Sequence, residues 1–373
     1  MSQHLVHRTA QRLVSNHGCA CWSQRLFGWG LFASPAQWIH TSKCLGLQQR
    51  NVANVFDRHS KLLQRERAAR NPDVAVYDYL KDEVGYRLSD RILDIKRDLK
   101  TGLDLGCGRG YVAKNITGTE LTHLYMSDLS PAMLEAAQTP ENIGFTKILI
   151  DEEQKFPIES KKLDLVISNL NLHWVNNLPG CLKEIYRVLK EDGVFLASMF
   201  GGDTLFELRS SLVLAELERE GGFSSHVSPF TEIRDIGALL NQCGFTMLTI
   251  DTDEITVGFP SLFELMWDLK GMAENNAGVN RKLHIHRDTL LAASAIYQEM
   301  YGKKEGIPAT FQIIYMIGWK PDPTQKGTQV ERGSGQISLK DLHKLDEMIR
   351  ESGMEGRMKF MKDITGEEDK DKD

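Results

Sequence analysis

Leu103-Asp104-Leu105-Gly106-Cys107-Gly108-Arg109-Gly110 reads as a short apolar strand running into a glycine-rich turn ahead of a helix. Gly106 and Gly108 let the backbone turn tightly and approach a ligand with no Cβ in the way. The spacing is G-x-G-x-G, not the G-x-G-x-x-G of dinucleotide-binding proteins, and an acid, Asp104, stands just before the turn. A pair of glycines alone is a weak signal, and the acids downstream strengthen it. Asp128 ends a second strand, residues 123–128, about twenty residues on, where a carboxylate can grip both hydroxyls of an adenosine ribose. Asp151 closes a third, residues 147–151, where it or the adjoining backbone can accept from an adenine amino group. Each acid could instead cap a helix. Taken together, at the carboxyl ends of three neighbouring parallel strands, Asp104, Asp128 and Asp151 predict a nucleoside pocket.

Further strands are expected over residues 163–169 and 193–200, and helical stretches lie between successive strands, including 130–138 and 178–190. Strands alternating with short helices imply a parallel sheet covered on both faces. Beyond residue 200 the pattern predicts helices over 203–222 and 230–245, the latter ended by Gly244, and a largely helical stretch over 261–301. Residues 246–259 and 309–320 are the remaining strand candidates. Upstream, 54–70 reads as a charged helix broken at Asn71-Pro72. Residues 77–95 place Tyr79, Leu80, Val84, Leu88, Ile92 and Leu93 at helical spacing.

These motifs resemble those of class I S-adenosylmethionine-dependent methyltransferases. The resemblance is carried by LDLGCGRGYVA (103–113), the Asp128 site, LIDEE (149–153) and LDLVISNLNLHWV (163–175). It implies an α/β, Rossmann-like fold with a mostly parallel seven-stranded sheet and helical additions. It also implies S-adenosylmethionine bound by Asp104, Gly106, Gly108, Gly110, Asp128, Asp151 and Ser168, with Ser168, Asn169 and Leu170 near the sulfonium. A narrower resemblance comes from SNLNLHWVNNLP (168–179), FGGDTLFELR (200–209), EREGGFSSHVSPF (218–230), DTDEI (251–255), FELMWDLKGM (263–272) and IPATFQIIYMIGWK (307–320). Together they are similar to a mitochondrial group of complex I assembly factors described as protein arginine hydroxylases. That likeness implies an arginine-bearing complex I subunit as substrate, other assembly factors as partners, and a place on the matrix side of the inner membrane. A more distant similarity is to bacterial malonyl-carrier-protein methyltransferases.

Composition agrees with that compartment. The chain has 373 residues, and its net charge of −6 argues against broad nucleic-acid binding. No run of about 18 apolar residues occurs, so membrane contact is expected to be peripheral. The charge is unevenly spread. Residues 1–50 hold Arg8, Arg12, Arg25, Lys43 and Arg50 and no acid, which leaves 40 basic against 51 acidic side chains in the rest. An acid-free start with Leu5, Val6, Leu13 and Val14 interleaved with Arg8 and Arg12 is the pattern of a mitochondrial transit peptide. A disordered basic arm is the plainer alternative. The expected organisation is a transit peptide over 1–50, a helical segment over 51–98, and a methyltransferase-like domain over 99–320. That domain carries helical insertions near 203–230 and 261–301, and a flexible charged tail follows over 321–373.

The chemistry-bearing residues after the fourth strand are Asn169, His173 and Trp174. His173 could accept a proton and Trp174 could wall a guanidinium; equally, both could pack and cap the next helix. No proline-rich N-P-P-Y-like segment follows that strand, which disfavours amide methylation. Hydroxylation needs activated oxygen, normally through iron, flavin or a similar group, and no metal ligand set is assigned. His286, Asp288 and His343 have facial-triad residue types, but Asp288 reads as the N-cap of a helix. Hydroxylase activity therefore follows from the resemblance alone, and the oxygen-activating cofactor is left open. Asp203 and the run Glu216, Glu218, Glu220 could draw an arginine-bearing partner, or serve as an N-cap and an exposed charged face. Gly221-Gly222 reads as a hinge. Cys107 has no basic cluster beside it and reads as inert. Two readings stay open beside the hydroxylase: a true methyltransferase, and a cofactor-binding assembly chaperone without turnover.

Overall fold

Seven strands alternate with helices: β1 (Thr101–Leu105), β2 (His123–Asp128), β3 (Gly144–Leu149), β4 (Leu163–Asn169), β5 (Leu189–Phe200), β6 (Thr246–Phe259) and β7 (Ile307–Trp319). In the computed structural model they form one sheet ordered β3-β2-β1-β4-β5-β7-β6. The first five run parallel, and β7 pairs antiparallel with both β5 and β6. Residues 54–322 are described, except 118, 142 and 305. The expected leader, and all but the first two residues of the expected tail, lie outside them. Among the described residues no helix is long and apolar enough to cross a membrane.

The central strands are buried on both faces, and successive residues feed two cores. On one side Leu165, Ile167 and Leu196 meet Val84 and Leu88 of α3 (Tyr79–Leu93), Leu212 of α6 (Phe206–Glu220) and Tyr297 of α9 (Arg287–Tyr301). On the other, Leu103, Leu105, Val166 and Phe195 meet Ile185 of α5 (Leu178–Val188) and Ile236 and Leu240 of α7 (Ile233–Gln242). Two-sided burial is why these strands read as continuous apolar runs. The outer strand β6 instead alternates between half-buried and exposed positions and carries Asp251, Asp253 and Glu254 along its length. Charge on an edge strand discourages pairing with another chain.

Several local expectations needed correction. Helix α6 begins after Leu205, which takes a left-handed φ of 54°, and not at an Asp203 cap. Asp203 accepts from Gln312 Nε2 at 3.2 Å instead. Helix α9 is entered through His286, and Asp288 sits inside its first turn, where a carboxylate suits the helix dipole. The acidic run on α6 is largely consumed internally. Glu216 takes Ser224, His226 and Lys282, while Glu220 takes Lys282 and Thr289. Glu218 meets the neighbouring Arg219 at 3.6 Å.

Candidate active site at the carboxyl edge of the sheet

Two features of the glycine loop follow directly from its sequence. Gly106 and Gly110 adopt φ of +74° and +80°, the left-handed region that favours glycine. A Cβ on Gly106 would stand 2.1 Å from the Asn171 side chain, and one on Gly110 would stand 2.1 Å from the Gln138 carbonyl oxygen. The loop is anchored by Gly106 N–H and Cys107 N–H, both donating to the Ser127 carbonyl at 2.8 Å. Asp128, buried, accepts from Gly108 N–H at 3.0 Å and from Ser130 N–H at 2.8 Å. Loop and second-strand acid thus form one unit, as their spacing predicts.

Asp104 stands next to last in β1, just before the turn. It lies inside the sheet, fully buried, and neither carboxyl oxygen has a partner among the described residues. Burial, helped by the nearby Asp128 charge, pushes its pKa up to about 8. Asp151 is the more exposed of two neighbouring acids. It accepts from Arg58 Nη2 at 3.0 Å and Gln154 Nε2 at 3.1 Å. The acid that points inward is Glu152, fully buried and holding Asn171 Nδ2 at 2.8 Å together with Arg58. Burial works to raise the Glu152 pKa, but Arg58 and Arg65 outweigh it and hold it low. Sequence reasoning missed Glu152 because it lies one residue beyond the strand end used as the landmark.

Helix α1 (Arg58–Ala69) supplies the opposite charge. Asp57 caps it, accepting from Ser60 N–H at 2.9 Å. Arg58, Lys61 and Arg65 fall at i, i+3 and i+7, one helix face, and all three are largely buried. Arg58 meets Asp151 and Glu152, and Arg65 meets Asn171 and, at 3.4 Å, Asp128. Their mutual spacing was the available signal that this charged helix faces inward.

At the end of β4 and beyond it, the expected cofactor contact Ser168 and the catalytic candidates Asn169, His173 and Trp174 divide into two kinds. Ser168 and Asn169 are committed to the fold: Ser168 Oγ donates to the Leu105 carbonyl at 2.8 Å, while Asn169 donates to the Lys81 carbonyl and accepts from Ser198 Oγ. His173 and Trp174 lie in a short 3-10 turn, Leu172–Trp174, and converge on Glu274. Trp174 Nε1 donates to Glu274 Oε2 at 2.9 Å, and His173 Nε2 lies 3.5 Å from the same oxygen. Lys81 Nζ pairs with Glu274 Oε1 at 2.7 Å. The His173 ring packs among Trp174, Phe200 and Phe230, and its Nδ1 has no partner among the described residues. Burial lowers the His173 pKa despite Glu274, so the imidazole is neutral at neutral pH. Burial raises the Glu274 pKa, but Lys81, His173 and Lys61 together drive it far below the carboxylate range. The cap of α5 is Asn177, so Trp174 does not serve there. Glu274 carries no motif and lies 100 residues from Trp174, which is why sequence reasoning missed it.

Comparison with known proteins places this geometry. A methyltransferase-domain family model matches residues 103–197. Arginine-hydroxylase NDUFAF5, mitochondrial, of Mus musculus is 52% identical over 297 residues, spanning 79% of this chain and 86% of that protein. The Homo sapiens protein of the same name is 50% identical over 297 residues, spanning 79% and 85%. A malonyl-acyl-carrier-protein O-methyltransferase of Halorhodospira halophila is 30% identical over 282 residues, spanning 74% and 90%. The chain belongs to the family of mitochondrial arginine-hydroxylases named NDUFAF5.

Proposed function

We propose that this protein is a mitochondrial arginine hydroxylase that binds S-adenosylmethionine at the glycine loop. We further propose that it acts on an arginine-bearing subunit of respiratory complex I as an assembly factor, peripherally on the matrix side of the inner membrane. The observation that carries the reading is kinship with arginine-hydroxylases along 79% of the chain.

The residues present fit the cofactor. The glycine loop turns through left-handed φ at Gly106 and Gly110, packed against Asn171 and Gln138, and so carries bare backbone at the carboxyl end of β1. The buried, unpartnered Asp104 carboxyl suits a cationic ligand group, and S-adenosylmethionine is cationic at sulfur and at its amino group. Asp128 would hold the ribose, with Glu152 and Asp151 beyond it. Arg65 and Arg58 now occupy these carboxylates and would have to release them. When bound, the cofactor supplies an activated methyl group on a sulfonium, and oxygen activation calls for iron, flavin or a comparable group. Among the described residues no three metal-ligating side chains are grouped to hold a metal ion. The side chains of this site position ligands and exclude water: the Trp174 face and Glu274 offer a cation a dry, anionic neighbourhood.

Mass spectrometry of complex I subunits from cells with and without the protein tests the reading. The expected result is an arginine peptide heavier by one oxygen only where the protein is present; an unchanged set of modified arginines overturns it. The intact loop also favours a second reading, methyl transfer to a matrix protein or carboxylate. Transfer of labelled methyl from the cofactor to a matrix component would support that instead.

A further inference from the structure

Lys61 is 1% exposed, far from any ordinary place for an ammonium group. Its Nζ stands 3.4 Å from the centroid of the Trp174 ring and donates to the carbonyls of Ala273 at 2.9 Å and Asn275 at 3.0 Å. The Trp174 ring is fixed by its own bond to Glu274, so one face is held toward the cation. Ala273, itself buried, carries a left-handed φ of +61°, a strained conformation for a residue with a Cβ. An aromatic face, two carbonyl acceptors and a neighbouring carboxylate are the parts of a cation receptor.

We propose that this box, formed by Trp174, the Ala273 and Asn275 carbonyls and Glu274, is the guanidinium subsite for a substrate arginine, and that Lys61 is its built-in stand-in. The proposal rests on the arginine-hydroxylase reading. Three arguments favour a guanidinium over an ammonium. Burial pulls the Lys61 pKa well below the lysine value, against the pull of Glu274, whereas a guanidinium keeps its charge in such surroundings. Its flat face stacks on an indole, and its forked N–H donors suit two separate carbonyls. The location is also right. Lys61 and Arg65 lie four residues apart on one helix, about 6 Å along its axis. The box therefore adjoins the pocket where Arg65 meets Asp128 of the nucleoside site. Trp174 also lies three residues beyond Asn171, whose side chain packs on Gly106.

Two measurements on the full chain test this. The first uses Lys61→Ala, which empties the box. N-acetyl-arginine methylamide should raise the melting temperature of this variant by several degrees and that of the unmodified chain much less. The neutral citrulline analogue should do nothing at equal ionic strength. The second needs no variant. Lys61 should resist acetylation by an N-hydroxysuccinimide ester, and the arginine compound should speed its modification about tenfold, while the citrulline compound should not; an RT ln 10 change in site opening corresponds to that factor. Lys61 reactivity unaltered by saturating arginine compound, or equal responses to both compounds, overturns the proposal. The complex I mass measurement is independent. Oxygen added to an arginine with no Lys61 response sinks the subsite alone, whereas guanidinium binding with no modified arginine sinks the hydroxylase reading and, with it, the substrate role of the box, leaving only a guanidinium-binding site.

Discussion

The nucleoside side and the cation side of the carboxyl edge are built in opposite ways. The nucleoside side is local in sequence: the loop over 103–110 and Asp128 are joined by a bond from Gly108 N–H to Asp128 across twenty residues. The cation side is assembled from distant pieces. Lys61 reaches carbonyls more than 200 positions away, and Glu274 holds Trp174 across 100. One helix face, Arg58–Lys61–Arg65, covers both. A motif within one strand-turn-helix unit announces itself in sequence, whereas a box made by the folded chain does not. The first side is set by backbone geometry and the second by charge balance, so they should fail differently.

Glu274→Ala is expected to have the largest effect. It removes the carboxylate that pairs with Lys81 and holds Trp174 Nε1, leaving a largely buried cation unpaired at a cost of about 3–5 kcal/mol. Urea unfolding should show the loss, and Glu274→Gln should recover part of it through the Trp174 bond. A loss within about 0.5 kcal/mol would mean the box carries no charge-balancing role. Gly110→Ala attacks the other side by shape: its Cβ meets the Gln138 carbonyl at a left-handed φ, costing about 1–3 kcal/mol. This variant should also weaken cofactor binding while leaving the guanidinium response of Lys61→Ala, tested in the double variant, in place.

Asp104 gives a smaller effect with a definite sign. Its folded pKa of about 8 lies above the ordinary carboxylate value, so the folded chain holds a proton that the unfolded chain has lost. Stability without ligand therefore falls as pH rises from the carboxylate range toward 8, and then levels. A cationic cofactor favours the ionised form. Its affinity should rise with pH up to about 8, by at most about tenfold per pH unit for one proton. Calorimetry in buffers of different ionisation enthalpy would detect the released proton, and Asp104→Asn should flatten the profile. A flat profile in the unmodified chain would break the link between Asp104 and the ligand. The smallest effect is expected at Cys107, whose thiol burial pushes well up. It should stay unlabelled by iodoacetamide in the folded protein.

Much of the fold was readable in advance, for a physical reason. Strands β2 and β4 fall on their expected residues: β4 is buried along its whole length around an apolar Leu165–Ile167 centre, and β2 alternates buried Leu124 and Met126 with half-buried His123 and Tyr125. Strand β3 starts three residues early, at Gly144, because it lies at the sheet edge with Phe145 and Leu149 exposed and has no apolar run to mark its ends. Strand β5 starts at Leu189, four residues early, in a polar segment that pairs with β4 through an irregular register. The caps expected at Asp203 and Asp288 failed because a local acid cannot foresee a distant Gln312 or the true helix entry. Of the site, the glycines and Asp128 were legible, His173 and Trp174 were found without their partner, and Glu152, Glu274 and the inward face of α1 were not found at all. These last are buried charges whose meaning depends on what lies across the cleft.

The most direct measurement is calorimetric titration of S-adenosylmethionine into the full chain and into Asp128→Asn, with melting curves confirming that both are folded. Loss of a charged acceptor should weaken binding by about 10–100-fold, equivalent to about 1.5–3 kcal/mol. Equal affinity for the two proteins, or no binding to the unmodified chain, would contradict a nucleoside site at the glycine loop.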